Sequence, residues 1–276
     1  MLIAVDTGGT KTLVASFTED GTLGEQYRFP TPPTPAGYIA ALSDYLVETY
    51  GKETVEAIVV GIPGVVVGEV AIWCNNLHWK NFHVVDALKN ALKGTPLAEA
   101  PILIENDANL AGLAETRSLK TIPALSLYVT VSTGIGTGII TQGHINPSLS
   151  RSEGGRMQVE WDGRVQEWET FASGKAIVRT YGKFARDITS KRTWNQIADR
   201  ISRGLLATVP VLQPDIIIIG GSIGTYFEKY ELRLERILEE KLPDHVPTPV
   251  VVGAKHPEQA VIYGCYYYAL DYYATT

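Results

Sequence analysis

Pro101 to Glu115, PILIENDANLAGLAE, is the stretch whose reading decides the fold. Ile102 to Ile104 is an apolar run of the kind that forms a buried strand. It stops at Glu105-Asn106-Asp107, and an Ala- and Leu-rich segment of helical character follows. Polar side chains are therefore expected where a strand ends and a helix begins. In open α/β sheets, ligands bind beyond the carboxyl ends of strands, and the N–H groups of a helix start favour anionic or oxygen-rich groups. Asn106 can donate and accept hydrogen bonds, and Asp107 can take a proton from a hydroxyl. Taken alone, the stretch reads first as a plain helix cap, because Asn and Asp are preferred N-caps, and other stretches must raise the case for chemistry.

Around it lie 276 residues, enough to bury a substantial core as one large domain or two modest ones. A formal net charge of -6 argues against a nucleic-acid partner or an anionic membrane surface. Met1 leads straight into a strand pattern without a signal-like start, and no run approaches bilayer length, so a cytoplasmic protein acting on small molecules is expected. The two cysteines, Cys74 and Cys265, are too few for a disulfide framework. Neither they nor the five scattered histidines have the spacing of a zinc site.

Towards the N-terminus, Leu2 to Val5 reads as a strand running into Asp6-Thr7-Gly8-Gly9-Thr10-Lys11-Thr12. Leu13 to Phe17 and Thr22 to Phe29 complete a three-stranded meander. Gly8 and Gly9 let the turn bring its backbone close to a ligand, while Thr10, Lys11 and Thr12 add donors for phosphate oxygens. Asp6 could hold the water shell of a Mg²⁺. A glycine hairpin with polar decoration is the competing reading. Pro30 to Pro35 is a connector into a helix over Gly37 to Tyr50, and Val55 to Val60 is a buried strand ending in Gly61-Ile62-Pro63-Gly64. Val65 to Trp73 resembles a small hairpin. Asn75-Asn76-Leu77-His78-Trp79 then sets amides beside aromatics, which suits sugar hydroxyls and ring faces, or else a loop fixed by Asn caps and a half-buried Trp. Val84 to Leu92 is a further helix.

Beyond Glu115 the same design recurs. Ala124 to Val131 is a strand, Ser132-Thr133-Gly134-Ile135-Gly136-Thr137-Gly138 a turn, and Ile139 to Thr141 a returning strand. The repetition suggests two related halves facing each other, each with one phosphate-cradling hairpin. In the polar stretch Ser148 to Arg164, Glu153 can accept from hydroxyls and Arg156 can pair with Glu153 or Glu160, with a solvated loop as the alternative. Glu167 to Tyr181 is predicted as one helix carrying Glu169 in its first turn, and Trp194 to Leu212 as another. The strand Asp215 to Ile219 ends in Gly220-Gly221-Ser222-Ile223-Gly224, whose small residues let a flat ligand lie on the backbone; an amphipathic helix follows to about Lys241. Pro249 to Gly253 is a last strand. Gln259 to Tyr273 is a last helix, crowded with Tyr and suited to packing.

Taken together, DTGGTKT at Asp6 to Thr12, GIPG at Gly61 to Gly64, ENDAN at Glu105 to Asn109, STGIGTGI at Ser132 to Ile139 and IIGGSIG at Ile218 to Gly224 resemble the ROK family within the actin-like and hexokinase-like ATPases. The similarity runs over almost the whole chain. It implies an α/β protein of two actin-like (ribonuclease H-like) lobes with a central cleft. The first lobe would be residues 1–115 with sugar and phosphate contacts, completed by a C-terminal helix over 259–276, and the second residues 116–258 with nucleotide and sugar contacts. It also implies an ATP- and Mg²⁺-dependent hexose kinase of the glucokinase type. By the same resemblance, Asp107 is the base that takes the sugar hydroxyl proton, and Asn106, Asn76, Glu153 and Glu169 are sugar contacts. Gly8, Gly9, Thr10, Lys11, Thr133 and Gly134 face the phosphates, Asp6 sits near Mg²⁺, and Gly220, Gly221 and Ser222 lie by the adenosine.

Family members usually carry Glu-x-Gly-His followed by a cysteine-rich CxCGxxGCxE segment that binds zinc. Here the stretch is Glu153-Gly154-Gly155-Arg156, with no cysteine up to Glu169. No zinc is expected, and Arg156 alters a sugar contact. Its guanidinium suits an acidic or phosphorylated sugar, or pairs with Glu153. Some family kinases that use polyphosphate also lack the cluster, so polyphosphate is an alternative donor. A catalytically degenerate sugar sensor is the second alternative. The family's repressors begin with a helix-turn-helix, for which there is no room before Leu2, and DNA binding is disfavoured. The aromatic last helix is compatible with a homodimer.

Overall fold

The computed structural model describes residues 1–275 apart from the side chain of Asn75; the expected last helix reaches residue 276, which lies outside the described residues. The chain forms two compact units, Met1–Ala114 with Gln259–Thr276, and Glu115–Glu258.

The first unit starts with β1 (Leu2–Thr7), β2 (Lys11–Phe17) and β3 (Leu23–Pro30), followed by α1 (Pro35–Tyr50) and β4 (Ala57–Ile62). A short meander of β5 (Val65–Val67), β6 (Val70–Cys74) and β7 (Trp79–His83) leads into α2 (Val84–Leu92), β8 (Ile102–Asn106) and α3 (Asp107–Arg117). Its main sheet has the order β3-β2-β1-β4-β8, antiparallel across β1 to β3 and parallel across β1, β4 and β8. The central strands β1 and β4 are apolar without alternation because both faces are covered, as parallel strands require. The edge strand β3 is exposed along most of its length.

Two local expectations shift. Pro30 still pairs with Lys11 in the sheet, and α1 begins at Pro35, whose fixed φ suits a first helical turn, with the Thr34 hydroxyl accepting from the Gly37 N–H. The proline-rich connector therefore shrinks to residues 31–34. Trp79, expected half-buried in a loop, is 1% exposed at the start of β7 and packs on Tyr38 and Phe82. Its ring face belongs to the core and is closed to a sugar.

The second unit begins with β9 (Leu125–Val131), β10 (Ile135–Thr141) and β11 (His144–Ile145), then the hairpin β12 (Gln158–Trp161) and β13 (Arg164–Glu167). Next come α4 (Trp168–Ala172), α5 (Gly174–Tyr181), α6 (Lys191–Leu212), β14 (Ile216–Gly220), α7 (Gly221–Gly224), α8 (Glu231–Lys241) and β15 (Val250–Gly253). Finally α9 (Ala260–Thr275) returns to the first unit. The sheet order β11-β10-β9-β14-β15 reproduces the first sheet strand for strand, again three antiparallel strands and two parallel additions. The repeated strand-turn-strand pattern thus corresponds to two topologically equivalent sheets. The core of this unit gathers Trp168, Trp194, Ile197 and Leu205 with Val129 and Ile219, each contributing roughly 1.5–3 kcal/mol by leaving water.

The polar stretch before Arg164 is less of a loop than predicted, since Gln158–Trp161 pairs with Arg164–Glu167. The helix predicted over Glu167 to Tyr181 is divided. Ser173 interrupts it in extended conformation and caps α5, its Oγ accepting from the Ala176 N–H. The helix expected to run on from Gly224 is likewise interrupted, restarting at Glu231 after a short turn at Phe227–Lys229.

In α9, a Cβ on Gly264 would stand 2.0 Å from the Leu110 carbonyl oxygen of α3, so two helices meet backbone to backbone there. Glu115, 1% exposed, accepts 2.6 Å hydrogen bonds from the N–H groups of both Lys255 and His256. The carboxylate at the entry of the second unit thereby holds the segment at its exit.

Candidate active site

In the first unit, parallel pairing of β8 on β4 carries Glu105 and Asn106 to the strand end, and α3 starts at Asp107. Asn106 serves the local structure with both ends of its amide. Its Oδ1 accepts from the Asn109 N–H at 3.0 Å, and its Nδ2 donates to the Gly64 carbonyl at 2.8 Å. Gly64 has φ +98°, and a Cβ there would meet the Trp73 carbonyl oxygen at 2.2 Å; glycine alone fits this turn beside Asn106. The Asp107 carboxylate accepts from the Ala108 N–H at 2.8 Å. Behind them Glu105 accepts from the Asn109 amide and the Asn106 N–H. Burial pushes its carboxyl up, against the pull of those two donors.

The turn between β1 and β2 is closed by the Gly8 N–H donating to the Lys11 carbonyl at 3.0 Å. A Cβ on Gly9 would lie 3.1 Å from Cβ of Asn76, so the glycine turn and this predicted sugar contact adjoin. Gly9, Thr10, Lys11 and Asn76 are exposed. Asp6 is the penultimate residue of β1, and burial pushes its carboxyl up to about 6, with Arg28 opposing. Thr31, which sequence reasoning passed over as part of a connector, secures the turn. It donates to the Gly8 carbonyl at 2.7 Å, shares a hydrogen bond with Thr12 at 2.9 Å and gives its N–H to the Thr10 carbonyl.

In the second unit, Ser132 organises the equivalent turn. Its N–H donates to the Gly134 carbonyl, its carbonyl accepts from the Gly174 N–H, and its Oγ accepts from the Ser222 N–H at 3.1 Å. Gly221 has φ +79°, and a Cβ there would stand 2.6 Å from Ser132 Oγ and 2.7 Å from Thr130 Oγ1. The Gly220-Gly221-Ser222 turn and the Ser132-Thr133-Gly134 turn are thus one assembly, with Thr133 and Ser222 exposed. The break at Ser173 explains itself here, since it delivers Gly174 to Ser132.

Glu153, Arg156 and Glu169 also come together. The Glu153–Arg156 turn lies against β10: Gly154 N–H donates to Thr137 Oγ1, and a Cβ on Gly155 would meet the Ile135 carbonyl at 2.1 Å. Arg156 Nη1 lies 2.7 Å from Glu167 Oε2 and 3.0 Å from Glu169 Oε1. Both carboxylates are within ion-pair distance, and Glu153, the expected partner, also acts on the guanidinium electrostatically. Glu169 Oε2 accepts from the Ile135 N–H at 3.3 Å. Burial pushes the Glu153 carboxyl up; Arg156 pulls it down and Glu169 adds to the rise. Glu167 was missed because the strand pairing that turns it towards Arg156 is not legible in a segment that reads as helix.

In the second unit the exposed Ser222 beside Gly221 has the chemistry to meet a nucleoside, and in the first the Asp6 carboxylate near the end of β1 has the chemistry to hold a hydrated cation. Among the described residues, no group of three or more His, Cys, Asp or Glu is arranged to hold a metal ion. A groove of about 570 Å³ on the first unit, lined by Pro35, Ile39, Phe82 and Ala87, includes none of the predicted site residues.

The chain matches a known family over nearly its whole length. The ROK family model matches residues 2–271, and the chain belongs to the ROK family. It is 29% identical over 250 residues to the N-acetylmannosamine kinase of Yersinia pestis (strain Pestoides F), covering 80% of this chain and 83% of that one. A ROK family glucokinase from Streptomyces griseus, crystallised with glucose and AMPPNP, matches with a TM-score of 0.81 over 98% of this chain and 99% of that chain, at 22% identity. The inorganic polyphosphate/ATP-glucomannokinase from Arthrobacter sp. strain KM matches with a TM-score of 0.73 over 100% and 99% of the two chains, at 26% identity. These relatives are phosphotransferases acting on a sugar hydroxyl, and their fold, two actin-like α/β units, is the fold of this chain.

Proposed function

We propose that the chain is an ATP-dependent sugar kinase, a phosphotransferase with an alcohol group as acceptor, acting on a hexose of the glucose or N-acetylhexosamine kind at its 6-hydroxyl. The observation that carries this reading is the pairing of Asp107 at the β8 end with glycine turns at equivalent positions of two equivalent sheets. Asp107 takes the hydroxyl proton as general base. Asn106 and Asn76 in the first unit, and Glu153 and Glu169 in the second, hold the sugar hydroxyls. The backbone of Gly8 and Gly9 with Thr10 and Lys11, and that of Thr133 and Gly134, hold phosphate oxygens; Gly220, Gly221 and Ser222 lie along the nucleoside. When bound, ATP supplies the phosphoryl group and Mg²⁺ offsets its charge. Asp6 would hold that ion through water, as Mg²⁺ with few protein ligands requires. The protein's part is then positioning and charge stabilisation, which dominate phosphoryl transfer.

The test is ADP release in the presence of a panel of hexoses, N-acetylhexosamines, acidic sugars and sugar phosphates, with and without Asp107→Asn. One sugar should stimulate release, and the variant should lower kcat by about 10²- to 10⁴-fold with folding unchanged. Full activity in the variant would remove Asp107 from its role. The likeness to a polyphosphate/ATP enzyme makes polyphosphate a second donor to run in parallel. Sugar binding without transfer from either donor would instead support a degenerate sensor.

A further inference from the structure

We infer that Arg156 is a positioning residue: it fixes the Glu169 carboxylate between its own guanidinium and the β9–β10 turn, and so orients that carboxylate as an acceptor for a sugar hydroxyl. This rests on the kinase reading above and deepens it.

Five contacts support the inference. Glu169 is gripped at both oxygens, Oε1 by Arg156 Nη1 at 3.0 Å and Oε2 by the Ile135 N–H at 3.3 Å. Glu167 Oε2, 2.7 Å from the same Nη1, holds the guanidinium as well. A Cβ on Gly134 would stand 2.7 Å from Glu169 Oε2, so the carboxylate touches the turn itself. Gly155, pressed on the Ile135 carbonyl, fixes the backbone from which Arg156 extends. Each carboxylate oxygen can accept more than one hydrogen bond, so Glu169 keeps acceptor capacity for a sugar hydroxyl while its orientation is set. The two side chains of the Arg156–Glu169 pair are 32% and 22% exposed, where a charge-assisted hydrogen bond is stronger than at an open surface.

The same geometry fixes what Arg156 does not do. One guanidinium stands among the three carboxylates of Glu153, Glu167 and Glu169. The cluster retains negative charge, and an anionic sugar meets repulsion there. On this inference Arg156 serves the neighbouring carboxylates and does not select an acidic or phosphorylated sugar.

The experiment compares the wild-type chain with Arg156→Gln and Arg156→Lys. Calorimetry gives the affinity for the neutral sugar found in the panel, for the matching hexuronic acid and for the hexose 6-phosphate, and kinetics give the KM of sugar and of ATP separately. A thermal melt checks that each variant is folded. Arg156→Gln should weaken neutral-sugar binding by about tenfold or more while the KM of ATP moves by less than about twofold, and Arg156→Lys should recover part of the loss. The wild type should bind the anionic sugars at least about tenfold more weakly than the neutral one. Unchanged sugar affinity in a folded Arg156→Gln, tighter binding of the anionic sugar by the wild type, or no sugar binding at all would each overturn the inference. Binding that follows the expected order without phosphoryl transfer would instead count against the kinase reading alone.

Discussion

Asn106 and Asp107 are neighbours in sequence but differ in local duty. Asn106 ties α3 to the Gly64 turn through both ends of its amide, so Asn106→Ala should cost about 1–2 kcal/mol of stability besides any loss of sugar affinity. Denaturant melts would read the first effect and a stability unchanged within error would contradict it. Glu105 gives a pH dependence. Its carboxyl is raised by burial above the ordinary 4.5, so the native state holds the proton more tightly than the unfolded chain. The stability it contributes is fully present below the unfolded pKa and is lost as pH rises through the raised folded value. Glu105→Gln does not titrate. Its stability relative to wild type should therefore climb between about pH 4 and the raised folded pKa and then level off; thermal midpoints at several pH values would show a flat difference if this is wrong.

At the scale of elements, the breaks are as informative as the helices. Ser173 divides what reads as one helix, and its hydroxyl caps α5, so Ser173→Ala should cost about 1 kcal/mol. It should also raise the KM of ATP, because Gly174 is held on Ser132 from that cap; an unchanged KM would detach the cap from the site. The main strands, the long helices and the glycine turns were legible because apolar runs and Gly-rich punctuation are local signals. The divided helix was not, because the residue after the break, Gly174, gives its N–H to the Ser132 carbonyl more than forty residues away. Trp79 misled for a similar reason: asparagines beside it suggest a loop, whereas its partners Tyr38 and Phe82 come from α1 and β7. Glu167 and Thr31 escaped notice because pairing across strands, not spacing along the chain, brings them to Arg156 and Gly8. The close crossing at Gly264 is testable in the same terms. Gly264→Ala should destabilise by about 1–3 kcal/mol through forced separation of α9 and α3.

For the whole molecule, the relation between the units is one of chain order. The first unit is completed only when α9 returns to cover β1 and β4, where Cys265 lies against the Val5 carbonyl and Val261 fills the space left by Gly61. A chain ending at Glu258 should therefore expose that face of the sheet, and a cooperative melt of the first unit at its normal temperature would contradict this. The residues between the crossings behave differently. Glu115 grips Lys255 and His256, so residues 115–258 form a closed loop whose start is pinned three residues from its end. Entry and exit of the second unit are clasped by residues of that unit itself, and such adjacent ends suit a body expressed on its own.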